Sequence, residues 1–229
     1  MKREILDQFH DVSGWGAVAS GQAELHISQD RGPDGAAMRL DFDFKGGGGF
    51  VVARRLLSVP LPDAYAFSFK LRGAAPRNKF EFKLVDPTGK NVWRYQQEAF
   101  DFTSDWQPLV IRSSQIEFAW GPAGGGRMTA VGAIEFVITA GPGGKGTVWI
   151  GDLQFEDRSF ASQPVVTASS AASGNEPCYA VDRQRESSWR STASAAPQWL
   201  LIDLEEEHEY GGLIIEWDPA APVLPDPNQ

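Results

Sequence analysis

Amphipathic helices return an apolar residue to one face every three or four positions, and no long stretch of this 229-residue chain does so. What recurs is alternation at every second position, the period of a strand whose side chains leave the backbone on opposite sides. Runs of strand length with this pattern are Ala36–Phe44, Gly49–Ala53, Tyr65–Leu71, Lys79–Val85, Val92–Gln96, Gln107–Ile111, Ala133–Thr139 and Thr147–Phe155. Glycine and proline punctuate them, as in Arg31-Gly32-Pro33-Asp34-Gly35 and Gly141-Pro142-Gly143-Gly144. Many short, evenly spaced strands predict an all-β chain built as a β-sandwich or jelly roll.

The segment Asp86-Pro87-Thr88-Gly89 predicts a hairpin between 79–85 and 92–96, because proline presets φ at the second turn position and glycine closes the turn. Strand parity then sorts faces. Phe80, Phe82 and Leu84 point one way, with Glu81 and Lys83 opposite. Ile134, Phe136 and Ile138 leave Glu135 opposite, and Ile116, Phe118 and Trp120 leave Glu117 on the reverse. One sheet is therefore expected to show an outer face carrying Glu81, Lys83, Glu117 and Glu135, either a solvated surface or a polar groove.

Composition shifts near Arg158. The expected organisation is a sandwich over 1–158, a linker at 159–163, a partial second sandwich over 164–218, and an unstructured tail at 219–229 that holds four prolines. In the second part, Gln198–Leu204 and Gly212–Trp217 read as strands. Glu205, Glu206, Glu207 and Glu209 read as a solvated acidic turn.

The net charge of −9 disfavours nucleic acid and anionic membranes, whose binding needs Lys and Arg against phosphate. Cys178 is the single cysteine, so neither an intrachain disulfide nor a thiolate metal cluster is available. No apolar run approaches the length of a membrane span, and none follows Met1-Lys2-Arg3 as an export signal would. The expected location is cytoplasmic if Met1 is the native start, and periplasmic or secreted otherwise.

Signatures of catalysis fail on inspection. Gly14–Ala19 fits a loose dinucleotide pattern without the strand and helix it requires, and Gly141–Thr147 imitates a phosphate loop but has Gly146 after Lys145. There is no nucleophile-elbow serine, and His10, His26 and His208 are too scattered for a zinc triad. A carboxylate pair among Glu81, Glu117 and Glu135 leaves a small glycosidase as a remote alternative.

Ile5–Trp15, Gly35–Phe42 and Thr147–Phe155, in that order and spacing, resemble the galactose-binding-like jelly roll of carbohydrate-binding modules, of the family 11 type. The resemblance spans about 150 residues and implies a sugar groove on one sheet with a structural calcium near the first and last strands. The plates it implies are Trp93 and Tyr95, with core burial the alternative for Trp93; the polar partners are Arg54, Glu81, Lys83, Glu117 and Glu135. The implied calcium ligands are Asp7, Asp30 and Asp152, and His10 stands where related modules often carry an acid.

A second resemblance is shorter. Thr167–Ser170, Ala180–Asp182, Ser187–Trp189, Gln198–Leu204 and Ile214–Trp217 are similar to the opening of a coagulation factor 5/8 type C, or discoidin, domain. It implies a calcium-binding loop containing Asp182 and Ser187, with Arg183 in place of the usual glycine. Together the two resemblances imply non-catalytic binding of an oligo- or polysaccharide by the N-terminal part of a larger glycan-processing protein with sibling domains. The competing expectation is a structural or protein-interaction module with no sugar ligand.

Overall fold

The computed structural model of the protein describes residues 2–159, 164–182, 184, 186–204 and 213–217. Its strands are β1 (Lys2–Asp7), β2 (Trp15–Ala19), β3 (Glu24–Arg31), β4 (Ala36–Asp43), β5 (Phe50–Pro60), β6 (Tyr65–Ala74), β7 (Asn78–Val85), β8 (Val92–Phe100), β9 (Gln107–Arg112), β10 (Glu117–Trp120), β11 (Ala130–Thr139), β12 (Lys145–Asp157), β13 (Val165–Ala168) and β14 (Leu200–Asp203). Among the described residues, only the short 3-10 turns Ser113–Gln115 and Pro177–Ala180 are helical. The chain divides into two compact units, Met1–Ser159 and Phe160–Gln229.

The first unit is a two-sheet antiparallel sandwich. Its first sheet has the order β3-β4-β12-β6-β9, with β1 also paired to β12. Its second has the order β10-β8-β7-β11-β5-β2. Strands β1 and β3 show no clean alternation in the sequence, because Lys2–Asp7 and Glu24–Arg31 mix charge into both parities. The hairpin between β7 and β8 forms as the sequence predicts: Gly89 takes φ 73° and donates its N–H to the Asp86 carbonyl at 2.9 Å.

Phenylalanine fills the space between the sheets. Phe67 and Phe69 of the first sheet meet Phe82 and Phe136 of the second, with centroids 5.4 Å apart for Phe67–Phe82 and 5.0 Å for Phe69–Phe136. All four rings are essentially inaccessible to water. Each contributes about 2–3 kcal/mol of burial, and the offset and edge-on pairings add to it. This core fixes which face of each strand is inner, and so dictates what the outer faces carry.

In the second unit, β13 and β14 pair antiparallel, Val165 opposite Asp203. The Trp189 indole N–H donates to the Ser170 carbonyl at 3.0 Å, and Ser187 Oγ donates to Asp182 Oδ2 at 2.6 Å. Of the strand expected at 212–217, Gly212 lies outside the described residues, and the described residues 213–217 form no strand, with Leu213, Ile214, Ile215 and Trp217 exposed. Arg183, the acidic run at 205–209, and most of the 159–163 linker and the 219–229 tail lie outside the described residues.

Candidate functional site

The second sheet turns its outer face to solvent with a row of charge running across the strands. Register places Glu117 (β10) opposite Arg94 (β8), Arg94 opposite Lys83 (β7), Lys83 opposite Glu135 (β11), and Glu135 opposite Arg54 (β5). Cross-strand neighbours share a face, so these five side chains form one line about 19 Å long at the usual strand spacing. Sequence parity had put Glu81, Lys83, Glu117 and Glu135 on one face, and the register joins Arg54 and Arg94 to them. Arg94 had no signal in the sequence beyond its position two residues before Gln96.

Ion pairs bind the row together. Arg54 Nη1 reaches Glu135 Oε1 at 3.0 Å. Glu81 is the hub: its carboxylate accepts from Arg94 Nη1 at 2.8 Å and Thr139 Oγ1 at 3.2 Å, with Lys83 Nζ at 3.4 Å and Lys79 Nζ at 3.9 Å. Glu81 is 3% exposed and Lys83 9%, buried among the long side chains beside them rather than inside the sandwich. A charge so enclosed must stay paired, because removing one partner leaves the other desolvated at a cost of about 3–5 kcal/mol. Glu81 and Lys83 therefore brace the face, while Arg54, Arg94 and Glu117 stand more open on it.

Two expected plates lie on the other side of the sheet. Trp93 is opposite Leu84 and Phe118, is 7% exposed, and donates its indole N–H to the Gly126 carbonyl at 3.0 Å. Tyr95 is opposite Phe82 and packs on the core. Both face inward, so neither offers a ring to a ligand on the charged face.

The ring on that face is Trp120. Strict alternation assigns it to the core beside Phe118, but a β-bulge shifts the register between Phe118 and Trp120 and sets Trp120 opposite Val92. Two residues of β10 then answer one of β8, and Ala119 and Trp120 both turn outward. Ala119 packs on Val85, Val92 and Ala133. Trp120 is 47% exposed, with Lys83 Nζ 4.9 Å from its ring centroid. At the opposite end of the face, Val18, Phe50 and Leu56 flank Arg54 and are exposed.

Three of the four carboxylates expected to hold calcium, Asp7, Asp30 and Asp182, are hydrogen-bonded within the protein. Asp7 Oδ1 accepts from the Phe9 N–H at 2.7 Å, Oδ2 accepts from the Trp15 indole N–H at 2.7 Å, and Arg55 caps the same oxygen. Asp30 accepts from the Trp149 indole N–H at 2.9 Å. That bond and the Arg31 N–H draw its carboxyl below the ordinary range. Asp152 occupies the bulge in β12 at φ 55°. Asp182 holds its own turn through Ser187 and Gln184, and these bonds lower its pKa. Among the described residues, no three His, Cys, Asp or Glu side chains come together as a metal site. The arrangement does not fit calcium.

No protein-family model matches the chain, and no curated protein matches it. Solved structures do. A family 11 carbohydrate-binding module from Clostridium thermocellum, in complex with a β-1,3-1,4-mixed-linked tetrasaccharide, matches with a TM-score of 0.55 at 18% identity, covering 67% of this chain and 94% of that one. The family 11 module of the cellulosomal cellulase Lic26A-Cel5E of Clostridium thermocellum matches at 0.52 and 19%, covering 69% and 98%. At these identities the likeness establishes a shared fold, the jelly-roll β-sandwich.

Proposed function

We propose that this chain binds a neutral oligo- or polysaccharide, without catalysis, on the outer face of its second sheet. The observation that supports it most is Trp120, an open indole set by a bulge beside a ladder of charged groups that neutralise one another. A sugar needs an apolar plate for its C–H face and oriented polar groups for its hydroxyls. Trp120 supplies the first, and Arg54, Arg94 and Glu117 the second. Arg54, Lys79, Lys83 and Arg94 stand against Glu81, Glu98, Glu117 and Glu135, four charges against four, which suits an uncharged ligand. The matched module with a bound tetrasaccharide lends the same support at the level of fold. The acids give hydrolysis little: Glu81 and Glu135 are committed to ion pairs.

The second unit fits into this reading as the opening of a discoidin-like domain in a larger glycan-processing protein, on the strength of its Ser187–Asp182 turn and the pairing of β13 with β14. A rival reading has its own observation: exposed Val18, Phe50 and Leu56 on the same face offer apolar surface to another protein domain. Calorimetric titration of the full chain with a mixed-linked tetrasaccharide separates the two. The sugar reading expects saturable binding that Trp120→Ala weakens by about 1–3 kcal/mol. Absence of binding to that and other neutral oligosaccharides on a glycan array leaves the protein-interaction reading.

A further inference from the structure

The outer face of the first sheet carries a different construction. Register sets Arg39 (β4) opposite Trp149 (β12), and Trp149 opposite Arg72 (β6), while Trp106 immediately precedes β9 beside them. The four side chains stand as a rack of alternating cations and rings. Arg39 lies 5.4 Å from the Trp149 centroid, Arg72 lies 4.4 Å from the same ring, and Arg72 lies 5.1 Å from that of Trp106. Cations this close to an indole are held by its π-face, and Arg72 is held by two.

The two ends of the rack differ. At the β4 end all three Arg39 nitrogens and the Trp149 indole have acceptors. Asp41 takes Arg39 in a two-pronged fork, Nε to Oδ2 at 2.8 Å and Nη2 to Oδ1 at 2.9 Å. Thr147 steadies Asp41 at 2.6 Å, and Asp30 takes the Trp149 indole N–H and a further Arg39 contact at 3.4 Å. At the β9 end the acceptors are missing. No carboxylate among the described residues pairs with Arg72, and its Nε is buried without a hydrogen-bond partner. The Trp106 indole N–H likewise donates to no described residue, and no other cation or ring is stacked on Trp106 among them. The sheet ends at β9, so that side of the rack opens at an edge.

We propose that this open end is a second glycan site, one that takes the carboxylate of a uronic acid. The carboxylate is a planar two-oxygen acceptor for the outer Nη1 and Nη2 donors of Arg72, which no described residue takes. The Trp106 indole N–H is a third donor, and its half-buried ring is the plate for the sugar. The net charge of −9 does not forbid this. At physiological salt the screening length is about 8 Å, so remote acids act weakly on a carboxylate seated on Arg72. The site is separate from the neutral-sugar face on the second sheet and does not depend on it.

The test is titration of the full chain with tetragalacturonate and, in parallel, with a neutral mixed-linked tetrasaccharide. Arg72→Met keeps the stem between the rings and removes the charge, and should weaken tetragalacturonate at least about tenfold, as expected for losing a charge-assisted fork, with neutral binding unchanged. Trp106→Phe, which keeps a ring but loses the N–H, should fall between wild type and Arg72→Met. Should Arg72→Met not fold, Arg72→Lys tests the fork alone and should lose most of the uronate affinity. Tetragalacturonate that binds Arg72→Met as well as wild type overturns the proposal, as does wild-type affinity no better than for acetate at equal carboxylate concentration. Loss of both ligands through Trp120→Ala also overturns it, placing uronate on the other sheet. Failure of neutral binding with uronate binding intact counts only against the neutral-sugar reading.

Discussion

Trp93 and Trp120 belong to adjacent strands of one sheet yet serve opposite sides of it. Trp93 is a core ring, edge-on to Phe118 at 5.2 Å, so Trp93→Ala should cost about 3–5 kcal/mol of stability by opening a cavity, read by chemical denaturation. Trp120→Ala should cost less than 1 kcal/mol there, since the ring is half in water already. Glu81→Gln should destabilise by roughly 2–4 kcal/mol in the same experiment, because Arg94 and Lys83 lose their shared anion. Asp86 gives a pH signature. Partial burial alone would raise its pKa, but bonds from Asn91 and Thr88 and from the Asn91 and Lys90 backbone bring it down to about 2. Its value in the unfolded chain is roughly 3.9, so the stability it contributes is full above that pH and is lost as pH falls through about 2. Melts of wild type and Asp86→Asn should differ at pH 5 and converge towards pH 2. A difference independent of pH would remove Asp86 as the cause.

Among the elements, alternation carried the reading as far as the strands stay regular. The faces of β7 and β11 were legible because Phe80, Phe82, Ile134 and Phe136 alternate with charge without interruption. In β10 a single unpaired residue reverses the parity of everything after it, and no residue between Glu117 and Trp120 announces the bulge. Trp93 and Tyr95 failed as plates for a related reason: β8 carries an aromatic and a charged parity, and only its pairing with Phe82 and Leu84 shows which is inner. Asp7 was legible as an important acid but not as to purpose. Its partners Trp15 and Arg55 come from two other strands. Asp7→Ala should accordingly lower the melting temperature by several degrees. Chelator should leave the melting temperature of wild type unchanged, whereas a fall of several degrees on adding chelator would establish a metal these side chains do not account for.

In the whole molecule, the first unit builds a core between two six-stranded sheets, and the described rings that fill it lie within Met1–Ser159. A chain of residues 1–159 should therefore melt within a few degrees of the full chain by calorimetry. Melting far lower would mean that the second unit completes the first. The two outer faces of this unit carry opposite logic: one a neutral ladder with an open indole, the other a rack of arginine and tryptophan with one fork filled and one empty. The neutral face is tested most directly by amide and indole chemical shifts of the full chain during titration with a mixed-linked tetrasaccharide. Binding there predicts that the Trp120 indole N–H moves most, with the backbone of Arg54, Lys83, Arg94, Glu117 and Glu135 moving beside it and Trp149 and Arg39 staying fixed. Saturable shifts confined to the first sheet, or no shifts at any concentration, would contradict it.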